Sequence, residues 1–568
     1  MIQVRLRNEN WSKIFFLLIL PFFLYIFLLP VMPLMEPDEA RYSDISSLMN
    51  RTGDYVTPHL NHVVYLEKPP LHYWATAFFF KIFGENEFSS RLFAAFCAWG
   101  CILLVYRIGT FFRDEKTGLY SAGILSTFLY HSIVGKINIL DMPLTFFVSA
   151  ATWAGYQYFA GNCAGRRFLY LFYLISALAF LTKGLIGIVF PSAIIVLWLV
   201  VSMRWRDVFK LFSPIGILIF LLISCPWVIL VQRANPDFLW FFFIQEHFLR
   251  YTTEISRRTQ SIFYYFPMVI FGTLPWSAFL WKGLKEGAAQ KLSLFKASER
   301  HFLLVWIFFI FVFFSLSRSK LIPYIAPIFL PLAVIFGAIF KPYEEREVHP
   351  IAGSARRVLY DLPILLPPLI VITLFLLQFF VRDMKLSKYL ENNPIENWWE
   401  WMILPVLLQV LMTFLPAFVK RRWRNGWVLT VTILSALFLM SVHFPIAHIL
   451  TPHRSAYPVS KAIRAFLPPN QELYQYKTFL YGIDFYNKIR TPLVGGPGEL
   501  EFGLTRLPPD ELSHYYLSRE AFFRRLISNG NIYCLTRYPE NVDELRKEVS
   551  HLEVLWDNGI YYLLRLEN

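Results

Sequence analysis

The 568-residue chain is 56% hydrophobic and 18% aromatic but only 17% charged, well under the roughly 25% charge of soluble domains. That composition excludes an ordinary water-soluble enzyme and a disordered chain, and five cysteines in 568 residues exclude a disulfide scaffold. The net charge of +14 would suit a nucleic-acid binder, but the Lys and Arg gather in alternate loops between apolar runs, which is a mark of membrane topology.

Apolar runs of about 18 or more residues, such as Ile14 to Met32 and Leu359 to Val381, match a bilayer core ~30 Å thick. Arg5, Arg7 and Lys13 precede the first run, and no small-residue cleavage site comes after it, so it reads as an uncleaved first span. About thirteen candidate spans start near residues 12, 89, 117, 142, 168, 184, 210, 262, 301, 320, 359, 401 and 427. With the N-terminus cytoplasmic, Arg113, Lys116, Arg166, Arg167, Arg204, Arg206, Lys210 and the cluster Lys420, Arg421, Arg422 and Arg424 all fall on the cytoplasmic side. The short loops at 136–141, 182–184 and 316–320 carry one or two cations each, so the positive-inside rule sets this orientation.

The expected fold is therefore a polytopic α-helical membrane protein, residues 1–450, with a long first outer loop at 34–88. A small outer α/β domain, residues 451–568, completes the chain. In the loop, helical patterning around Pro37 to Asn50 and Pro69 to Phe83 predicts two amphipathic helices lying along the membrane surface. In the tail, short alternations at Glu472 to Lys477, Asn531 to Thr536 and Gly559 to Leu566 predict strands, with helices at Arg519 to Ser528 and Asn541 to Ser550.

Chemistry-bearing residues cluster in the outer loops. Asp38 and Arg41 are three apart at a helix start, which pairs a carboxylate with a phosphate-binding guanidinium, although Pro37, Asp38 and Glu39 also suit a plain helix opening. Lys68 precedes Pro69 and Pro70, so its backbone is extended and its ammonium can point into a cavity, with Glu67 on the opposite side of the strand. Asp141, just before Pro143, reads by itself as a cap for the next span. Glu246, His247 and Arg250 form a further outer group, and Arg318, Lys320 and Tyr324 lie in a short cationic loop.

The pairing of Pro37, Asp38, Glu39, Arg41 and Tyr42 after the first span with Glu67, Lys68, Pro69 and Pro70 in the same loop resembles the lipid-linked-sugar glycosyltransferases of the GT-C class. Within the protein mannosyltransferase superfamily the chain looks most like the bacterial aminoarabinose transferases of lipid A, over nearly its whole length. The resemblance implies Asp38, Lys68 and Asp141 as catalytic residues, with Lys68 on the donor phosphate. It implies Arg41, Tyr42, Tyr65, Glu67, Arg250 and Tyr324 as substrate-binding residues, and a divalent metal ion near Glu67 and His247.

The resemblance also implies an inverting transferase of the bacterial inner membrane. Such an enzyme moves a sugar, 4-amino-4-deoxy-L-arabinose, from undecaprenyl phosphate to lipid A on the periplasmic side. Two alternatives stay open: transfer of a hexose to protein Ser/Thr or another glycan, and a lipid-linked sugar flippase. A flippase would place ionisable groups within spans near the midplane, whereas here they gather in outer loops. Asp38 is a general base if the acceptor is a hydroxyl, and an orienting group if it is an already ionised phosphate. No phosphate-binding loop of nucleotide enzymes occurs in a strand-to-helix context, so no nucleotide cofactor is expected. The expected partners are a polyprenyl-phosphate sugar donor, a membrane-surface acceptor and the bilayer, with no nucleic acid.

Overall fold

The computed structural model describes residues 11–160, 165–249, 260–289, 294–345, 398–422 and 426–568. Among them, helices at Glu87–Phe112, Pro214–Ala234, Ala297–Leu316, Ile322–Glu345, Ile403–Lys420 and Trp427–Arg454 are long and apolar enough to cross a membrane. Further helices at Trp11–Phe27, Asp141–Ala160, Arg167–Lys183 and Ile186–Val201 pack among these. The expected span near 359 lies outside the described residues.

Two apolar runs are broken helices. The run from 117 stops at Thr127 and resumes at Leu129, and the run from 262 is interrupted between Gly272 and Trp276. The breaks face each other, so the backbone and hydroxyl groups that each one frees find partners in the other. Leu129 N donates to Leu274 O at 3.0 Å, and Trp276 Nε1 to Thr127 Oγ1 at 2.9 Å.

The first outer loop folds into the helix Asp38–Thr52, a two-residue hairpin of β1 (His59–Leu60) and β2 (Val63–Val64), and the helix Leu71–Phe83. The first helix starts after Pro37, carries Asp38 and Glu39 in its first turn and ends at Gly53, whose φ of 76° closes it in the left-handed region. It does not lie on a surface as its patterning suggested: every residue from Glu39 to Met49 is buried. Its polar face is matched group by group instead. Glu39 takes both Arg91 Nε and Nη2 at 2.8 Å, Ser43 meets Ser90 at 2.6 Å, and Ser47 meets Glu85 at 2.8 Å. Arg91 also donates to Leu29 O and Pro33 O at the exit of the first helix, so one buried guanidinium fixes where the loop begins.

The tail builds a six-stranded sheet in the order β5 (Tyr516–Leu517), β4 (Leu493–Val494), β3 (Leu473–Tyr476), β6 (Asn531–Arg537), β8 (Tyr561–Glu567), β7 (His551–Asp557). The strands β5, β4, β3 and β6 run parallel, and β8 is antiparallel to both its neighbours. This lobe is bound to the first loop: Arg51 donates to Asp484 at 2.8 Å, Asn61 Nδ2 to Thr491 O at 2.9 Å, and Leu34 N to the Tyr486 hydroxyl at 2.9 Å. Gly503 packs so tightly on β2 that a Cβ there would meet Val64 O at 2.3 Å.

Candidate active site

The start of the helix Asp38–Thr52 places Arg41 in a box of tyrosines. Its guanidinium carbon is 5.2 Å from the Tyr42 ring, 5.4 Å from Tyr481 and 6.0 Å from Tyr65, distances at which ring faces attract a cation. Arg41 is 4% exposed, and its two terminal nitrogens pair with Asp38 and Glu499. The i,i+3 spacing thus brings Asp38 and Arg41 together as read from the sequence, while the side chain of Asp38 stays 48% exposed. Glu39, between them in sequence, turns away to Arg91.

Tyr481 and Glu499 come from the C-terminal lobe. The Tyr481 hydroxyl donates to Glu499 at 3.2 Å, and burial pushes its phenol up to about 12, against the opposing pull of Arg41, so it remains a donor. Glu36 accepts from Tyr481 N at 3.1 Å and Gly482 N at 2.8 Å. Burial raises its carboxyl to about 8, with the two backbone donors and Arg41 acting against it. The Tyr42 phenol is raised by burial, lowered by Arg41 and raised again by Asp38 and Asp141, so this ring lies in the field of both carboxylates.

A cavity of about 410 Å³ opens beside this box. One part of its wall is apolar, with Val148, Phe190, Phe243 and Phe313, and its polar part holds Lys68, Asp141, Lys183, Glu246 and Tyr324. These five polar residues come from five segments that are remote in sequence. Lys183 is 2.5 Å from Asp141 and 4.8 Å from the Tyr324 ring centre. Lys68 is 3.2 Å from Glu246, donates to Glu67 O at 2.8 Å and lies 3.8 Å from the Glu67 carboxylate. An extended backbone would put Glu67 on the far side; the chain bends at Glu67 and Lys68, so strict alternation fails and the two side chains share a side.

Lys68, Asp141 and Tyr324 therefore line one cavity. Asp38, Arg41, Tyr42 and Tyr65 do not line it and form the adjoining box. Glu67 does not line the cavity either; it neighbours Lys68, which does, and with burial it raises the phenols of Tyr65 and Tyr73. Asp141 opens its helix as expected, but its carboxylate goes to Lys183. Arg250 and the side chain of His247 lie outside the described residues. Among the described residues no three His, Cys, Asp or Glu side chains converge on one point, so the donors described do not by themselves form the divalent-ion site that the resemblance implies.

Sequence reading missed Lys183, Tyr481 and Glu499. Lys183 ends an apolar run just before Gly184, whose φ of 83° turns the chain; a lone cation at that junction was a usable signal. Glu499 follows a Gly-Gly-Pro-Gly run and lies in the single-turn 3-10 helix Gly498–Leu500, with nothing nearby in sequence to connect it to Arg41.

The family model for dolichyl-phosphate-mannose-protein mannosyltransferases matches residues 67–230. The chain is 34% identical over 325 residues to an undecaprenyl phosphate-alpha-4-amino-4-deoxy-L-arabinose arabinosyl transferase of Aeromonas hydrophila, covering 56% of this chain and 58% of that one. The match to the protein of that name from Photorhabdus laumondii is 30% over 407 residues, 70% of each chain. The crystal structure of ArnT from Cupriavidus metallidurans bound to undecaprenyl phosphate superposes with a TM-score of 0.82 at 25% identity, covering 98% of both chains. This is a GT-C fold, and the chain belongs to the family of undecaprenyl phosphate-alpha-4-amino-4-deoxy-L-arabinose arabinosyl transferases.

Proposed function

We propose that the chain transfers 4-amino-4-deoxy-L-arabinose from undecaprenyl phosphate to lipid A at the periplasmic face of the inner membrane. The observation that carries this is the cavity: apolar walls of a kind that suit an isoprenoid, ending in Lys68 and Lys183, which suit its phosphate. The similarity to a protein crystallised with undecaprenyl phosphate supports it.

In such a donor the bond between the anomeric carbon and the phosphate oxygen breaks, and negative charge builds on the lipid phosphate. Fixed cations in a site with low water content stabilise that charge more than water would. Lys68 and Lys183 are assigned this task; each is already paired with a carboxylate, Glu246 and Asp141 respectively, and exchanges that partner for the phosphate. Tyr324 lies against Lys183 and orients it. Attack by the acceptor from the opposite face in a single displacement inverts the anomeric centre. A lipid A phosphate is anionic at neutral pH and requires no base, so Asp38 is assigned to orient the sugar and balance Arg41.

About thirteen spans, with a cytoplasmic N-terminus and a periplasmic C-terminal α/β lobe of residues 451–568, complete the proposal. Cation counts on alternate loops support that orientation. The test is release of undecaprenyl phosphate by purified protein, with Asp38→Ala and Lys68→Ala as controls. Labelled sugar appearing on lipid A supports the acceptor; label on a Ser/Thr peptide instead would replace it with a protein-directed transferase. Movement of intact donor across vesicles without release would make the chain a flippase.

A further inference from the structure

The two carboxylates that hold Arg41 are each only half used. Both contacts of Glu499, from Arg41 and from the Tyr481 hydroxyl, go to Oε2, and Asp38 meets Arg41 through Oδ1. Oε1 of Glu499 and Oδ2 of Asp38 thus have no hydrogen-bond partner among the described residues, and the two side chains are 28% and 48% exposed. An ionised carboxylate accepts at about four lone-pair sites, so the remaining capacity is large. Charge gives the same result. Two carboxylates share one guanidinium, which leaves a surplus negative charge ringed by tyrosine faces. Beside it is a buried polar atom without a hydrogen-bond partner among the described residues, the hydroxyl of the fully buried Tyr73, whose ring is 5.8 Å from that of Tyr42 and whose oxygen can accept from a ligand. A half-satisfied polar group next to a cavity is a place where a ligand supplies the missing partners.

We propose that Glu499, together with Asp38, seats the ammonium of the donor's amino sugar, so that the C-terminal lobe supplies the residue that selects an amino sugar over a neutral one. This rests on the amino-sugar donor assigned above. An ammonium offers three donors and one positive charge: it fills the free Oε1 and Oδ2 and neutralises the surplus charge, and the tyrosine rings add cation–π attraction. A hydroxyl at the same sugar carbon can hydrogen-bond one of those oxygens but leaves the charge uncompensated. The phosphate and the ammonium of one donor then lie on opposite sides of Glu67, with cations on the cavity side and carboxylates on the box side.

The experiment uses the full-length protein in detergent with two synthetic donors, undecaprenyl phosphate carrying 4-amino-4-deoxy-L-arabinose or L-arabinose. Glu499→Gln should lower kcat/KM for the amino donor roughly ten- to a hundredfold, the worth of one hydrogen bond to a charged group. The loss should fall mainly on KM and be about tenfold or more smaller for the neutral donor, which feels only the weakened hold on Arg41, and Glu499→Asp should restore part of the preference. An equal loss on both donors would show that Glu499 acts only by holding Arg41, and no loss would show that it does not touch the sugar; either overturns the proposal. Should the Gln variant not fold, the wild-type pH profile decides. Preference for the amino donor falls as the sugar amine loses its proton if the proposal holds, and stays flat if it does not. Failure of the wild type to use either donor would instead refute the functional assignment itself.

Discussion

The ammonium of Lys68 lies 3.2 Å from the carboxylate of Glu246, 178 positions further along the chain. On the proposed assignment the donor phosphate takes Lys68 from a protein carboxylate, and the lysine, 15% exposed, is already held in place when it does so. Lys68→Ala should reduce turnover by about a hundredfold or more, the usual cost of losing one preorganised charge-stabilising group, and should weaken binding of free undecaprenyl phosphate. Size-exclusion behaviour should match the wild type, with a lower unfolding temperature because Glu246 keeps its charge without its partner. Near-normal turnover would remove Lys68 from the phosphate site.

Asp141 and Lys183 form a pair in which each side chain is 13% exposed. Removing either one leaves a charge in a largely apolar cavity, so each single Ala variant should destabilise more than the double variant's additive share. A double-mutant cycle on thermal unfolding in detergent should give a coupling of about 0.5–3 kcal/mol. Additive losses would mean that the two groups do not sense each other.

Glu39 stands between two site residues and is nevertheless assigned to structure. Its two-point pair with Arg91, both side chains 2% exposed, also accepts from Met35 N and Asn138 N. Glu39→Ala leaves Arg91 buried with its charge uncompensated and should cost about 3–5 kcal/mol, seen as a lower unfolding temperature and poor accumulation in the membrane. A stable Glu39→Ala protein that had lost only turnover would move Glu39 into the catalytic set.

The raised carboxyl of Glu36 makes the union of loop and lobe pH-dependent. Burial is the largest cause and lifts it from 4.5 to about 8. A folded-state value above the unfolded one means that the folded form binds the proton more tightly, so the contribution is complete below about pH 4.5 and is lost as pH rises through 8. Wild-type unfolding temperature, measured relative to Glu36→Gln, should therefore decline from pH 5 to pH 8. A rising or flat difference would contradict the assignment.

Much of this arrangement was legible in the sequence because it depends on local spacing. Asp38 and Arg41 share a helix turn, Pro69 and Pro70 release Lys68 from any preceding helix, and the alternations beginning at Glu472, Asn531 and Gly559 became the strands β3, β6 and β8. The two-residue strands β4 and β5 were too short to show any period, and β7, with most of its residues partly or fully exposed, lacks the apolar alternation that marks a strand. The burial of the helix Asp38–Thr52 was hidden for a related reason. Beside Ala40, Tyr42, Ile45, Leu48 and Met49, its buried groups are Ser, Asp, Glu and Arg, which read as solvated unless their partners on other segments are known. The pairing of Asp141 with Lys183, and of Arg41 with Glu499, arises only from tertiary folding, to which no window of sequence has access.

Arg41 and Glu499 are separated by 458 positions, yet they meet over one guanidinium. The box is consequently finished only after nearly all of the polypeptide has been synthesised and the lobe has docked on the first loop. On the proposed assignment, a nascent chain still being threaded through the translocation machinery cannot consume donor lipid, and a nonsense truncation ahead of residue 499 leaves Arg41 without its partner from the lobe.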